Sequence, residues 1–321
     1  MTLDTSDNTH NNVSHEVWRR APASQCIPWL VVTSIESLAI IFLNVVTIIV
    51  FVKQRRLQRG STFLIIHLAV VDLLVGVAGP AWIARLGDTW CNLWGDNSST
   101  DEESWIRIQK VFESIFLFVS LFNLSVISLE RVHATFFPFR HRFVKNWVYG
   151  LLIAVIWVVP LALRGAQIGS RMGRNSSFDF DFIMLLSYFA VQLSVICLSY
   201  ISIYVKVRFS RHPQQHGAAG VRERKLTSTL FLVTVASLLT ILPTIIRLSI
   251  IVFDFQFFTS LSKRSAMDFL LITVAFLLTN SLINPVIYAI RMPDLRAGIL
   301  RIIFRTSSKR PRKDVLPLQN I

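Results

Sequence analysis

The chain is short of charge. Only 16% of its 321 residues are Asp, Glu, Lys or Arg, where a soluble domain carries about 25%. That deficit argues against the two soluble domains its length allows. The start, MTLDTSDNTHNNVSHEVW, lacks the basic opening and apolar core of a signal peptide. The first apolar run is therefore expected to act as its own insertion signal. No Ser/His/Asp set converges on one depth, which sets a membrane hydrolase aside. His67 has no second His or Cys at ligand spacing, which argues against a metal site there. Cysteine is limited to Cys26, Cys91 and Cys197.

What the chain does have is apolar length. Hydrophobic residues make up 53% of it, and they fall into seven blocks at roughly 28–52, 62–86, 106–130, 147–168, 181–205, 227–253 and 267–290. At 1.5 Å rise per residue each bridges a bilayer core of about 30 Å. Most hold a polar residue or two, so the helices are expected to pack on one another. The expected fold is an all-α membrane protein, a seven-transmembrane-helix bundle with a short amphipathic eighth helix. The division is a tail at 1–27, the bundle at 28–290, the amphipathic helix at 291–305 and a second tail at 306–321. In MPDLRAGILRIIFR, Pro293 suits a first turn. Leu295, Ile299, Ile302 and Ile303 share one face, the pattern of a helix lying in the membrane interface.

The net charge of +14 invites a nucleic-acid partner, and its distribution rejects one. With the N-terminus outside, the inside segments 53–60, 131–146, 206–225 and 291–321 hold 22 of the 33 Lys and Arg. The outside segments hold seven. This positive-inside pattern predicts a multi-pass protein with its N-terminus extracellular. The basic face meets anionic membrane lipids and a cytosolic partner. Glycosylation triplets at Asn12, Asn97 and Asn175 all fall outside on this topology.

The spans carry an ordered polar set. It runs Asn44; LAVVD with Asp72; Ser120 and Glu130-Arg131-Val132; Trp157; Tyr200; Pro243; and Asn284-Pro285-x-x-Tyr288, one group per span. This set resembles the rhodopsin-like G-protein-coupled receptors, from about residue 30 to 305. The resemblance implies a plasma-membrane receptor, not an enzyme, that converts binding of an extracellular small molecule into activation of a heterotrimeric G protein. Arrestin is expected as a second cytosolic partner.

The resemblance also assigns roles. Glu130, Arg131, Glu223, Tyr200, Pro285 and Tyr288 correspond to the G-protein switch. Glu223 matches the acid that holds the arginine at rest; the alternative is that Glu130 alone pairs with Arg131. Asp72, Ser120, Asn280, Ser281 and Asn284 look like the family's sodium pocket. A mid-membrane carboxylate must be protonated, paired or bound to a cation, so the alternative is a wet network around a protonated acid. No other cofactor is expected. Asn280 and Ser281 are expected to point to Asp72 and Ser120, and Pro285 to let its helix bend. His67, Asn123 and Trp157 read as a joint between the second, third and fourth spans.

Glu113 precedes Arg131 by eighteen residues, five whole turns, so both share a face about 27 Å apart. It matches the aspartate that holds cationic ligands in amine receptors. The alternative is internal pairing with Lys110 or Arg247. Phe112, Phe116, Leu117, Ile241, Ile245 and Leu278 are the other expected pocket residues.

Three departures stand out. The usual disulfide position on the third span is Ile106, so Cys26 and Cys91 are the candidate pair. Cys197 reads as a plain buried thiol within the fifth span. Gln192 replaces a proline, and Ser237 and Ile241 replace common aromatics of the activation relay. The lysine that opsins need in the seventh span is absent, with Leu278 in its place. Two other readings stay open: a transporter with Asp72, Glu113 and Glu36 as a proton relay, and a receptor-like protein that binds without signalling.

Overall fold

The computed structural model describes residues 23–53, 60–85, 87, 100–173, 178–209 and 218–303. The sequons at Asn12, Asn97 and Asn175, and Cys91, lie outside the described residues. Ten helices are described. They are α1 (Ala23–Lys53), α2 (Gly60–Arg85), α3 (Thr100–Phe136), α4 (Pro138–Arg142), α5 (Asn146–Gly173), α6 (Phe178–Phe209), α7 (Ala218–Phe253), α8 (Phe255–Ser260), α9 (Lys263–Arg291) and α10 (Pro293–Ile303). Seven of them, α1, α2, α3, α5, α6, α7 and α9, are long and apolar enough to cross a bilayer. The first expected boundary moves: α1 begins at Ala23 rather than 28, which takes Pro28 inside the helix.

Two short helices add to the expected eight. Pro138 opens α4, where a missing N–H costs nothing. Asp254 caps α8, its side chain accepting from the Phe257 N–H at 2.9 Å.

The spans close into a ring. α1 packs on α2 and α9, α9 on α7, α7 on α6, and α3 threads the middle against α2, α5, α6 and α7. Burial follows: 67% of the apolar window of α3 is buried and only 17% of that of α5. Lipid-facing positions recur at helical spacing, as with Ile35, Leu38 and Phe42 on α1.

Lipid is as apolar as a leucine, so burial alone does not hold such helices together; close packing and hydrogen bonds do. Gly79 of α2 touches α1 so closely that an added Cβ would lie 2.8 Å from Ser37 Cβ. Between α3 and α6, Tyr188 stacks on Phe118 with centroids 4.4 Å apart. Its phenol donates to the Phe118 carbonyl at 2.7 Å. Many span hydroxyls bond back to their own helix, as Thr33 does to the Trp29 carbonyl at 2.8 Å. Ser194 does so toward lipid, to Ala190 O at 2.8 Å, which spares it a partner on another helix.

The expected joint is present in form. His67 meets Trp157 edge-on at 6.0 Å, and Asn123 Nδ2 donates to the Leu64 carbonyl at 3.3 Å. Cys197 corrects the sequence reading: its thiol is free and exposed. It lies on the outward face of α6 beside Leu198 and Ile201, where lipid and not protein covers it. The amphipathic helix differs too. Leu295 is fully buried, and Ile299 and Ile302 pack on the same core, so α10 turns this face to α1 and α9. Arg296 and Arg301 stay exposed.

Candidate functional site

Pro285 organises the middle of the bundle. It has no N–H to give to the carbonyl of residue 281, one turn back. Asn44 of α1 supplies the missing donor: its Nδ2 donates to Ser281 O at 3.2 Å and to Ile40 O at 3.0 Å. One turn deeper, Asn284 Nδ2 donates to Asp72 Oδ2 at 2.9 Å. Asp72 Oδ1, Ser120 Oγ and Asn284 Oδ1 are buried without a hydrogen bond among the described residues. Asn280 turns the other way, toward α7, where Thr240 Oγ1 donates to its Oδ1 at 3.3 Å. The polar layer is thus divided between two neighbouring helices, not gathered wholly on Asp72.

The switch residues cluster at the end of α3. Arg131 is fully buried and is gripped by its neighbour. Its Nε and Nη2 donate to the two carboxylate oxygens of Glu130, each at 2.6 Å. His141 of α4 joins them, with Nε2 3.3 Å from Glu130 Oε1. Its Nδ1 is 3.4 Å from His133 Nδ1. Tyr200 lies 3.2 Å from Thr234 Oγ1. Tyr288 is buried edge-on to Phe51 at 6.4 Å, and its hydroxyl has no hydrogen bond among the described residues. Arg291, at the end of α9, donates to Ser228 Oγ of α7 at 2.7 Å. Glu223 falls within α7, but its side chain lies outside the described residues.

A cavity of about 270 Å³ opens at the opposite end of the bundle, just under the roughly 300–1,000 Å³ usual for ligand pockets. Phe116, Leu117 and Leu278 line it. The side chains of Phe112 and Glu113 lie outside the described residues. Ile241 and Ile245 are not among the lining residues. Ile241 is buried in the core, and Ile245 packs against that core. α7 instead presents Thr244, Arg247 and Leu248, one face at i, i+3, i+4 spacing. The sequence reading also missed the wall formed by Thr33 and Ser37 of α1 with Gly79 and Trp82 of α2. The hydroxyls at 33 and 37, four apart, were its available signal.

Cys26 is disulfide-bonded and buried; its expected partner, Cys91, is among the residues outside description. Glu36 of α1 accepts from Thr279 Oγ1 of α9 at 3.2 Å.

The comparisons with known proteins agree with this geometry. The family model described as "7 transmembrane receptor (rhodopsin family)" matches residues 43–288. The human histamine H2 receptor is 24% identical over 288 residues, which cover 79% of this chain and 73% of that one. The human melanocortin receptor 5 is 27% identical over 287 residues, 84% of each chain. The Drosophila melanogaster dopamine receptor 2 is 29% identical over 185 residues, 52% of this chain and 32% of that one. Squid rhodopsin shares the fold with a TM-score of 0.71 at 17% identity, over 89% of this chain and 87% of its own. Proteins of this family are signalling receptors and not enzymes, and the transporter alternative falls with that. They span the plasma membrane several times, answer extracellular ligands and act through G proteins. With seven spans, an arginine clamped at one end and a cavity at the other, the chain belongs to the rhodopsin family of seven-transmembrane receptors.

Proposed function

We propose that this receptor binds a small molecule in the cavity walled by α1, α2, α3, α6, α7 and α9, and answers at Arg131. The cavity itself carries the reading. It is closed in by packed helices and too small for a large peptide. On the positive-inside distribution the N-terminus and the cavity face outward, and Arg131 faces the cytosol and its G protein. Arrestin and anionic lipids are the further partners of that basic face.

The resting state is held by the Glu130–Arg131 pair, with Glu223 as its second acid. Ligand binding shifts the balance of two packings of α7 and α9. Asp72 Oδ1, Ser120 Oγ and Asn284 Oδ1, three buried oxygens without hydrogen bonds among the described residues, suit a sodium ion, a hard cation that favours oxygen donors. Ser281 completes the proposed set, and Asn280, turned to Thr240 of α7, stands apart from it. The test is nucleotide exchange on purified G proteins by the receptor in nanodiscs, against a panel of small amines, nucleosides and lipids. Ligand-dependent exchange is expected, with raised basal exchange in Glu223→Ala. A response that survives blocking the cavity with Leu278→Trp sinks the site assignment.

A second reading, binding without signalling, has one observation in its favour. Gln192 Oε1 and Ser237 Oγ, which stand in the relay positions, are buried without hydrogen bonds among the described residues. A panel that shifts the melting temperature but never drives exchange selects that reading.

A further inference from the structure

Among the described residues four arginines of the bundle are at least partly buried, and one differs from the rest. Arg131 is gripped by Glu130. Arg291 donates to Ser228. Arg164 lies over the Phe118 ring at 5.6 Å. Arg247 lines the cavity, and its Nε is shut away from solvent without a hydrogen bond. Among the described residues it has no hydrogen bond, ion pair or ring contact of any kind. The acid weighed as its partner, Glu113, has its side chain outside the described residues. Among the described lining residues none is acidic, and Arg247 is the only charged one.

A half-buried guanidinium beside apolar walls is an unfavourable arrangement unless something compensates it. Helix periodicity places it deliberately inward. Thr244, Arg247 and Leu248 form one face of α7 toward the cavity, a single turn beyond the Pro243 at which the helix loses a hydrogen bond. The guanidinium fork matches a carboxylate in two parallel hydrogen bonds. The remaining walls are mainly apolar, Phe116, Leu117, Phe189 and Leu278 among them, with a few hydroxyls and the Asn280 amide. We infer that the cavity takes an amphipathic monoanion, its carboxylate on Arg247 and its aromatic or aliphatic body among those side chains.

The chemistry separates this from neighbouring classes. An amine here brings like charge to the guanidinium in a poorly screened site. A phosphate brings about two charges to one cation and leaves one uncompensated. A neutral ligand leaves Arg247 as it stands. The inference rests on the cavity being the ligand site, and it turns the charge preference opposite to the amine expectation drawn from Glu113.

The test uses the full chain in lipid nanodiscs and reads ligand-induced shifts in melting temperature. The probes are phenylalkanoates with two- to six-carbon chains, with the primary amide and primary amine of the same skeleton. Carboxylates are expected to stabilise the protein, and amides and amines to be weaker by roughly 10- to 150-fold, the span of a charged hydrogen bond. Arg247→Gln is expected to erase the preference, and Arg247→Lys, which keeps the charge without the fork, to retain part of it. If Arg247→Gln does not fold, the Lys variant alone decides, since full wild-type preference in it overturns the bidentate contact. Amides or amines binding as well as carboxylates, or carboxylate binding unchanged in Arg247→Gln, overturns the inference and leaves the small-molecule cavity standing. Binding of no probe of any charge overturns the inference and the cavity assignment together. Carboxylate binding without nucleotide exchange supports the inference and counts only against signalling.

Discussion

Two arginines stand toward opposite ends of the bundle and differ in kind as well as place. Arg131 is fully buried and bidentately held by Glu130. Arg247 lines a cavity with no described partner. One end of the bundle carries its own counter-charge, and the other leaves a charge for something else to meet. A receptor needs both: a state that holds itself without help, and a site whose free energy changes when a ligand arrives. The difference is a difference of completeness, and it is open to direct measurement.

The largest effect is expected at the complete end. Glu130→Ala removes the bidentate partner of a buried arginine, and removing one partner of a buried pair costs roughly 3–5 kcal/mol. Chemical unfolding in detergent reads this; a loss no larger than that of an exposed pair, about 0–1 kcal/mol, breaks the contrast. Next comes the packing that walls the cavity. Gly79→Ala sets a Cβ against Ser37, and overpacking of this kind costs roughly 1–3 kcal/mol. Ser37→Gly in the same chain is expected to restore the melting temperature, and a double variant no more stable than the single one counts against the close approach. At the incomplete end the sign reverses. Arg247→Leu removes a charge that is without a partner and is expected to raise stability by about 1 kcal/mol in the ligand-free protein; a loss instead means the cavity satisfies the guanidinium already. The smallest effect belongs to neither end. Cys197→Ser lies on the lipid-facing side of α6 and is expected to move stability by no more than about 0.5 kcal/mol.

Much of this molecule is legible without coordinates because lipid leaves few choices. Backbone groups must be satisfied within each span, so the seven helices read directly as apolar blocks, and Asp72, Arg131 and Asn284 stand out as exceptions that need partners. The contact between Asn284 and Asp72 was readable in that way. What hydropathy does not carry is the rotation of each helix about its axis, which neighbours set. That is why Cys197 was expected inside and lies outside, and why Ile245 was expected on the cavity wall where Arg247 stands. The short helices escaped for a different reason. α4 and α8 have five and six residues, too few to show an apolar period, and only Pro138 and Asp254 mark their starts.

The broken backbone at Pro285 has a mechanical consequence. From Pro285 to Arg291 runs six residues, an arm of about 9 Å at 1.5 Å rise. Its far end is fastened to α7 by the Arg291–Ser228 bond of 2.7 Å, and its near end is braced from α1 by Asn44. A tilt of roughly 10° about the proline carries the tip through about 1.6 Å, enough to part that fastening while the brace, lying at the fulcrum, barely moves. The same bond that makes good the missing N–H thus fixes the point about which a lever can turn.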